Sequence, residues 1–168
     1  MNPRTPYVSI VLPNLNYLAF LEDRTASIRS QSREDWECIV VDGHSSDGSW
    51  EFFQKTAAAD RRFRIYQEPP RGIYDAWNKG IERARGRFIY IATSDDTMHP
   101  DFLAKMAAAL EACPSAGIAH CCLTLIDEKG KPYPPELQWN RWQKVRFYGD
   151  WIRRYHLRRR PHDAIVHA

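Results

Sequence analysis

Five short apolar runs, each followed or preceded by a helix-length amphipathic stretch, limit this chain to very few folds. The runs are Tyr7–Leu12 (YVSIVL), Trp36–Val41 (WECIVV), Phe63–Gln67, Phe88–Ala92 (FIYIA) and Gly117–Cys122. Between the first two, Leu21, Thr25 and Ile28 recur at helical spacing within Leu18–Ser30. Trp50, Phe53 and Ala57 do so in a segment opened by Ser46. Trp77, Ile81 and Ala84 share one face of Tyr74–Ala84, and Phe102, Leu103, Met106 and Leu110 share one face of Pro100–Ala112. Strand and helix patterns that alternate with short connections specify an α/β fold, a mostly parallel sheet flanked by helices. The strands are apolar throughout rather than alternating, as expected of a sheet covered on both faces.

At 168 residues the chain suits one main domain. Its 43% apolar and 27% charged residues are those of an ordinary globular protein. No apolar run approaches a membrane span, and Met1–Pro6 carries no apolar leader, so a cytoplasmic protein is expected. Charge is unevenly placed. Residues 141–168 hold 8 Lys/Arg against 2 Asp/Glu, whereas residues 1–140 hold 16 against 19. Cys38, Cys113, Cys121 and Cys122 form no C-x-x-C pair and read as reduced thiols.

In a parallel α/β sheet, ligands bind beyond the carboxyl ends of the strands. Pro13, Asn14 and Asn16 follow the first strand, Asp42 ends the second, and Asp95-Asp96 follow the fourth. Asp42 is suited to accept bonds from a ribose hydroxyl or a base N–H. Ser45 or Ser46 reads more simply as the cap of the next helix, with Asp47 near that helix's positive end. Adjacent carboxylates such as Asp95 and Asp96 repel unless exposed to water or neutralised by a hard divalent cation, Mn²⁺ or Mg²⁺. Arg71 precedes a helix start, where anions are favoured. Asp75 lies in that helix's first turn, and Trp77 reads as core.

Four ordered blocks carry a resemblance. They are VSIVLPNLN (residues 8–16), ECIVVDGHSSDGS (37–49), GIYDAWNKGI (72–81) and GRFIYIATSDD (86–96). Together they resemble the inverting-type family 2 glycosyltransferases of the GT-A fold, and LIDEKG (125–130) is similar to a later family segment. The resemblance implies a nucleotide-sugar-binding GT-A core over residues 1–130, and the start of an acceptor-side region with a basic tail over 131–168. It implies a nucleoside diphosphate sugar donor, UDP-linked in many members, and a saccharide or lipid-linked acceptor in cell-surface polysaccharide biosynthesis. Pro13, Asn14, Asn16, Asp42, Arg71, Asp75, Asn78 and Asp95 would then bind the donor, and Asp96 with Asp95 the cation.

The departures are specific. Position 15 is Leu where the family carries an aromatic ring, and Thr93 replaces the first acid of its D-x-D. No residue matches the downstream catalytic base, so none is assigned. Asp150 and Asp163 are the only acids past residue 140. The expectation is a donor half with absent or very weak transfer on its own. A non-catalytic nucleotide-binding or scaffold module is the alternative. Ala164-Ile165-Val166 reads as a strand cut off at its start, so self-association into a homo-oligomer, or a partner segment covering that edge, is expected. The basic run Arg153–Arg160 suits a solvated helix end or anionic lipid headgroups at the inner face of a membrane. No nucleic-acid motif accompanies it, and nucleic acid is not expected as a partner. A dinucleotide dehydrogenase is disfavoured because no G-x-G-x-x-G follows the first strand. A sugar nucleotidyltransferase is disfavoured because residues 13–17 contain neither Gly nor Arg.

Overall fold

The computed structural model describes residues 5–121, 123–127, 130–134 and 164–167. Six strands form one sheet: β1 (Val8–Asn14), β2 (Trp36–Asp42), β3 (Phe63–Gln67), β4 (Phe88–Ile91), β5 (Ile118–His120) and β6 (Ala164–His167). Their order is β3-β2-β1-β4-β6-β5, and every strand pair is parallel. Four helices connect them: α1 (Leu18–Arg29), α2 (Ser49–Ala59), α3 (Ile73–Arg83) and α4 (Phe102–Ala112).

The pleat divides the apolar strand residues into two layers. Val8, Ile10, Leu12, Cys38, Val40, Phe88 and Tyr90 pack with Leu21, Ile28, Phe53, Phe102, Leu103 and Leu110 of α1, α2 and α4. Val11, Ile39, Val41, Ile89 and Ile91 face the other way, onto Ala76, Trp77 and Ile81 of α3. The chain therefore builds β2 and β3 to one side of β1. It then crosses the opposite face through α3 and lays β4 against the other side of β1, which makes the β1–β4 boundary the switch point.

Helix α3 sits unusually close to the sheet. A Cβ built on Gly80 would lie 2.2 Å from Val11 Cγ1, so only glycine permits this approach. The helix begins after Gly72, whose φ of 101° is a conformation that L side chains avoid. Beneath it, at the amino end of the sheet, the buried Glu37 carboxylate accepts from Ser9 Oγ (2.7 Å), Arg85 N–H (2.7 Å) and Arg64 Nη1 (2.7 Å).

Element boundaries shift for identifiable reasons. β1 and β2 run on through Asn14 and Asp42, which pair in the ladder and bond through their side chains (2.9 Å). α2 starts at Ser49 rather than Ser46 because Gly48 takes φ 95°. α4 starts at Phe102 because Pro100 belongs to the preceding turn, its carbonyl held by Ser32 N–H (2.8 Å). The largest correction concerns β6. It is paired with β4 on one side and β5 on the other. It is therefore not an open edge, and the argument for a homo-oligomer formed through it does not hold. Residues 135–163, with the basic run, Asp150 and Asp163, lie outside the described residues. Cys38 and Cys113 are free thiols. Burial pushes the Cys38 thiol up to about 12.

Gly80→Ala is expected to lower unfolding stability by roughly 1–3 kcal/mol, the usual cost of forcing an extra methyl into a packed contact. A shift of the urea midpoint at unchanged slope would measure it. An unchanged midpoint would mean that α3 does not sit this close to β1.

Candidate functional site

At the β1–β4 switch point the loops after β1, β2, β3 and β4 diverge and leave a cleft of about 450 Å³. Pro13, Asn14, Leu15, Tyr17 and Gly43 line one side. Glu68, Pro69, Pro70, Gly72, Ile73 and Asp75 line another, and Thr93, Ser94 and Asp95 a third. The buried Ser94 hydroxyl donates to the Pro13 carbonyl (2.7 Å) and so fastens the acidic turn to the end of β1. Gly43 keeps the floor open: a Cβ there would come within 3.3 Å of both Leu15 Cδ1 and Pro70 Cβ.

Of the sequence candidates, Pro13, Asn14, Asp75 and Asp95 line the cleft. The others do not, and each has a different place. Asp42 is fully buried. Its Oδ1 accepts from Asn14 Nδ2 (2.9 Å) and Ser45 Oγ (2.6 Å), and its Oδ2 from Ser45 N–H (2.9 Å) and Gln67 Nε2 (3.4 Å). Through Asn14 and Ser45 its carboxylate shapes the wall of the cleft. Asn16 joins two loops: its N–H donates to Ser45 Oγ (2.9 Å), and its Oδ1 accepts from Ser46 N–H (2.8 Å). To do so it takes φ 60°, and neighbouring His44 takes φ 59°. Arg71 and Asn78 are exposed beside the cleft rather than in its wall. Trp77 is half-buried against the α3-side core, as expected of a packing residue.

Asp47 does more than sit near the positive end of one helix. Its carboxylate accepts from Ser49 N–H (3.0 Å) and Leu18 N–H (2.8 Å), serving the first residues of both α2 and α1. Desolvation pushes its carboxyl pKa up, but these bonds outweigh it and hold the group below the usual range.

The acidic turn is exposed at both carboxylates. Asp96 Oδ2 accepts from Thr93 Oγ1 (2.5 Å). Across the cleft, Glu68 pairs with Lys79 (3.0 Å) and Arg83, and Lys79 also pairs with Asp75 (2.9 Å). The bond from Lys79 holds the Glu68 carboxyl below its ordinary value, and Asp75, then Glu68, raises that of Lys79. Two acids and two bases leave this wall balanced.

Sequence reasoning missed Tyr17 and the Glu68–Pro70 segment. The strand-end rule that singled out the loops after β1, β2 and β4 finds the second when applied to β3 as well. Tyr17 lines the cleft two residues beyond Leu15.

The Glycosyl transferase family 2 model matches residues 9–164. The Bacillus subtilis glycosyltransferase TuaG, named for teichuronic acid biosynthesis, is 38% identical over 101 residues, 60% of this chain and 40% of that protein. Mannosyltransferase PcManGT from Pyrobaculum calidifontis, in complex with GDP-Man and Mn²⁺, is 27% identical with a TM-score of 0.65, covering 73% of this chain and 37% of that one. Staphylococcus aureus TarS 1-349 with UDP-GlcNAc gives a TM-score of 0.65 at 20% identity, covering 76% of this chain and 38% of that one. The sheet and its helices are thus those of GT-A glycosyltransferases, and the chain spans about 40% of the length of these relatives.

Asp42→Ala would strand the Asn14 amide, the Ser45 hydroxyl and N–H and the Gln67 amide. It is expected to cost roughly 2–4 kcal/mol of stability, the scale for removing one buried partner from several donors. Urea unfolding checks this. A variant of native stability that loses only nucleoside affinity would show that Asp42 faces the ligand after all.

Proposed function

Because the chain belongs to glycosyl transferase family 2, we propose that its strand-end cleft binds a nucleoside diphosphate sugar and serves as the donor half of a transferase. The observation that carries this reading is one cleft with an apolar shelf and an acidic turn facing each other across a switch point. Its volume, about 450 Å³, falls in the usual range for ligand sites. Leu15, Tyr17, Pro70 and Ile73 offer apolar surface to a flat base. The Asn14 amide, oriented by Asp42, offers polar contact to the nucleoside. The start of α3 at Gly72–Ile73 presents unpaired N–H groups, which favour phosphate oxygens.

The acidic turn fits a divalent cation. Asp95, Asp96 and Thr93 present hard oxygen donors in an exposed turn. Among the described residues no third acid, His or Cys completes a protein-only cage. That is the donor set expected where substrate phosphates finish the coordination of Mg²⁺ or Mn²⁺. A cation held there would neutralise charge on the departing diphosphate. The protein's own part is to hold the donor with its anomeric carbon free for attack by an acceptor hydroxyl as the bond to the diphosphate breaks. PcManGT, with GDP-Man and Mn²⁺, and TarS, with UDP-GlcNAc, support a nucleotide-sugar donor. The name of TuaG supports a saccharide or lipid-linked acceptor in cell-surface polysaccharide synthesis. Among the described residues no helix is long and apolar enough to cross a membrane. The same reading places the protein in the cytoplasm, with Arg153–Arg160 as its contact to anionic headgroups at the inner face of the membrane.

Asp95→Ala and Asp96→Ala are each expected to weaken Mn²⁺-dependent binding of UDP, GDP or TDP at least tenfold, since even outer-shell changes cost roughly 10–100-fold in metal affinity. Calorimetric titrations with and without Mn²⁺ measure this. Wild-type affinity and unchanged Mn²⁺ dependence in both variants would remove the cation from the acidic turn.

A further inference from the structure

Arg24 is the largest fully buried side chain of the described residues. It lies on α1, among apolar neighbours, and makes no ion pair among the described residues. A guanidinium keeps its charge at any pH a folded protein meets and carries five N–H donors. Burying one without a carboxylate is costly, and an apolar side chain would fill the same space without that cost. The bonds Arg24 does make are therefore informative. Nη1 donates to the main-chain carbonyl of Asp96 (3.1 Å). Nη2 donates to the Tyr90 hydroxyl (3.3 Å), and the guanidinium carbon lies 5.7 Å from the centre of the Tyr90 ring. Nε has no partner.

Both acceptors belong to one stretch of chain. Tyr90 lies in β4, which leads into the acidic turn, and Asp96 is the turn's second acid. The same helix and the residues after it grip the chain beyond the turn. Gln31 Nε2 donates to the His99 carbonyl (2.8 Å), Gln31 Oε1 accepts from Leu103 N–H (3.0 Å), and Ser32 N–H donates to the Pro100 carbonyl (2.8 Å). Those contacts fix the exit of the segment. Of these contacts only that of Arg24 reaches Asp96, at its main-chain carbonyl, and it places a buried positive charge behind two exposed carboxylates.

We propose that Arg24 is a positioning residue for the acidic turn: it holds the Asp96 main chain so that the Asp95 carboxylate at the cleft and the exposed Asp96 carboxylate beside it can meet one cation, and its buried charge offsets their mutual repulsion before a cation arrives. The inference rests on the donor-site reading above. It separates the two halves of the ligand. Contacts to the nucleoside come from the loops after β1, β2 and β3 and do not involve Arg24, whereas the cation-dependent contact to the diphosphate does.

The test compares Arg24→Lys, Arg24→Gln and Arg24→Met with the unaltered chain. Binding of UDP and GDP with and without Mn²⁺, binding of uridine and guanosine, and thermal melting are read for each. Arg24→Met is expected to reduce the Mn²⁺-dependent gain in diphosphate affinity roughly 10–100-fold, the range for residues that orient metal ligands. Nucleoside affinity should change by less than about twofold, well inside the 1.4 kcal/mol that separates decades. Arg24→Lys, which keeps a charge and a donor, should restore most of the gain. Arg24→Gln, which keeps a donor alone, should restore less. It also keeps the test decisive if the Met variant does not fold. Parallel losses of nucleoside and diphosphate affinity that follow the melting temperature would overturn the proposal in favour of a purely structural role. A full Mn²⁺-dependent gain in Arg24→Gln would overturn it too. A wild-type chain with no Mn²⁺-dependent gain at all would instead sink the donor-site reading, and this inference with it.

Discussion

Strand β1 is hydrogen-bonded on both sides and buried at all seven residues, and the site exists because of that confinement. A strand with a parallel neighbour on each side sends its chain out only at its carboxyl end. The connection from β1 leads by α1 to β2, whereas β4 arrives at the other side after the crossing through α3. The loops at the two strand ends must separate, and the gap between them is the cleft. Gly80 against Val11 sets how close α3 can come, and the Ser94 hydroxyl on the Pro13 carbonyl sets how far the β1 and β4 ends can part. The cleft's width is thus fixed by packing at one end of β1's apolar layer and by a hydrogen bond at the other.

Buried polar groups sit at both ends of the sheet and serve opposite purposes. At the amino end, Glu37 has both oxygens engaged, by Ser9, Arg85 and Arg64. At the carboxyl end Asp42 is engaged by Asn14, Ser45 and Gln67. Each is a carboxylate whose acceptor sites are filled from within, so neither has much left to offer a ligand. Asp95 and Asp96 are exposed, and Asp96 has a single hydroxyl donor among its described side-chain contacts. Burial and saturation therefore separate acids that build the wall from acids able to meet a cation, a distinction invisible in a strand-end pattern.

The sequence made the sheet and its helices legible because wholly apolar strand-length runs alternate with segments whose apolar residues recur near every fourth position; which face each strand residue takes came only from the pleat, since a run apolar throughout reads the same on both faces. The acidic turn was legible because it follows a wholly apolar strand. Asp42 was placed correctly at its strand end, but its neighbours decide its role. Asn14 and Gln67 belong to flanking strands, and no local pattern reports on them. Tyr17 was passed over because it lies beyond the residue that the family pattern names. The place of β6 was beyond reach for a related reason. Its insertion between β4 and β5 is a long-range pairing, and a run of Ala164-Ile165-Val166 reads the same at an edge or in a sheet interior.

The two walls of the cleft also explain why binding at its two ends should be separable. In the wall carrying Glu68 and Asp75 these two acids are paired with Lys79 and Arg83. The apolar shelf is indifferent to charge. The opposite wall is different. Asp95 lines it and Asp96 lies exposed next to it, with no described basic partner for either carboxylate, and a diphosphate brought beside them adds to the same sign of charge. In the proposed reading that contact becomes favourable only when a divalent cation lies between the two anions. The nucleoside end has no such requirement, since its partners are apolar surface and the neutral amide of Asn14. The fold therefore joins a cation-independent shelf to a cation-dependent turn, and the only described side chain with a formal positive charge that bonds the turn from within is Arg24.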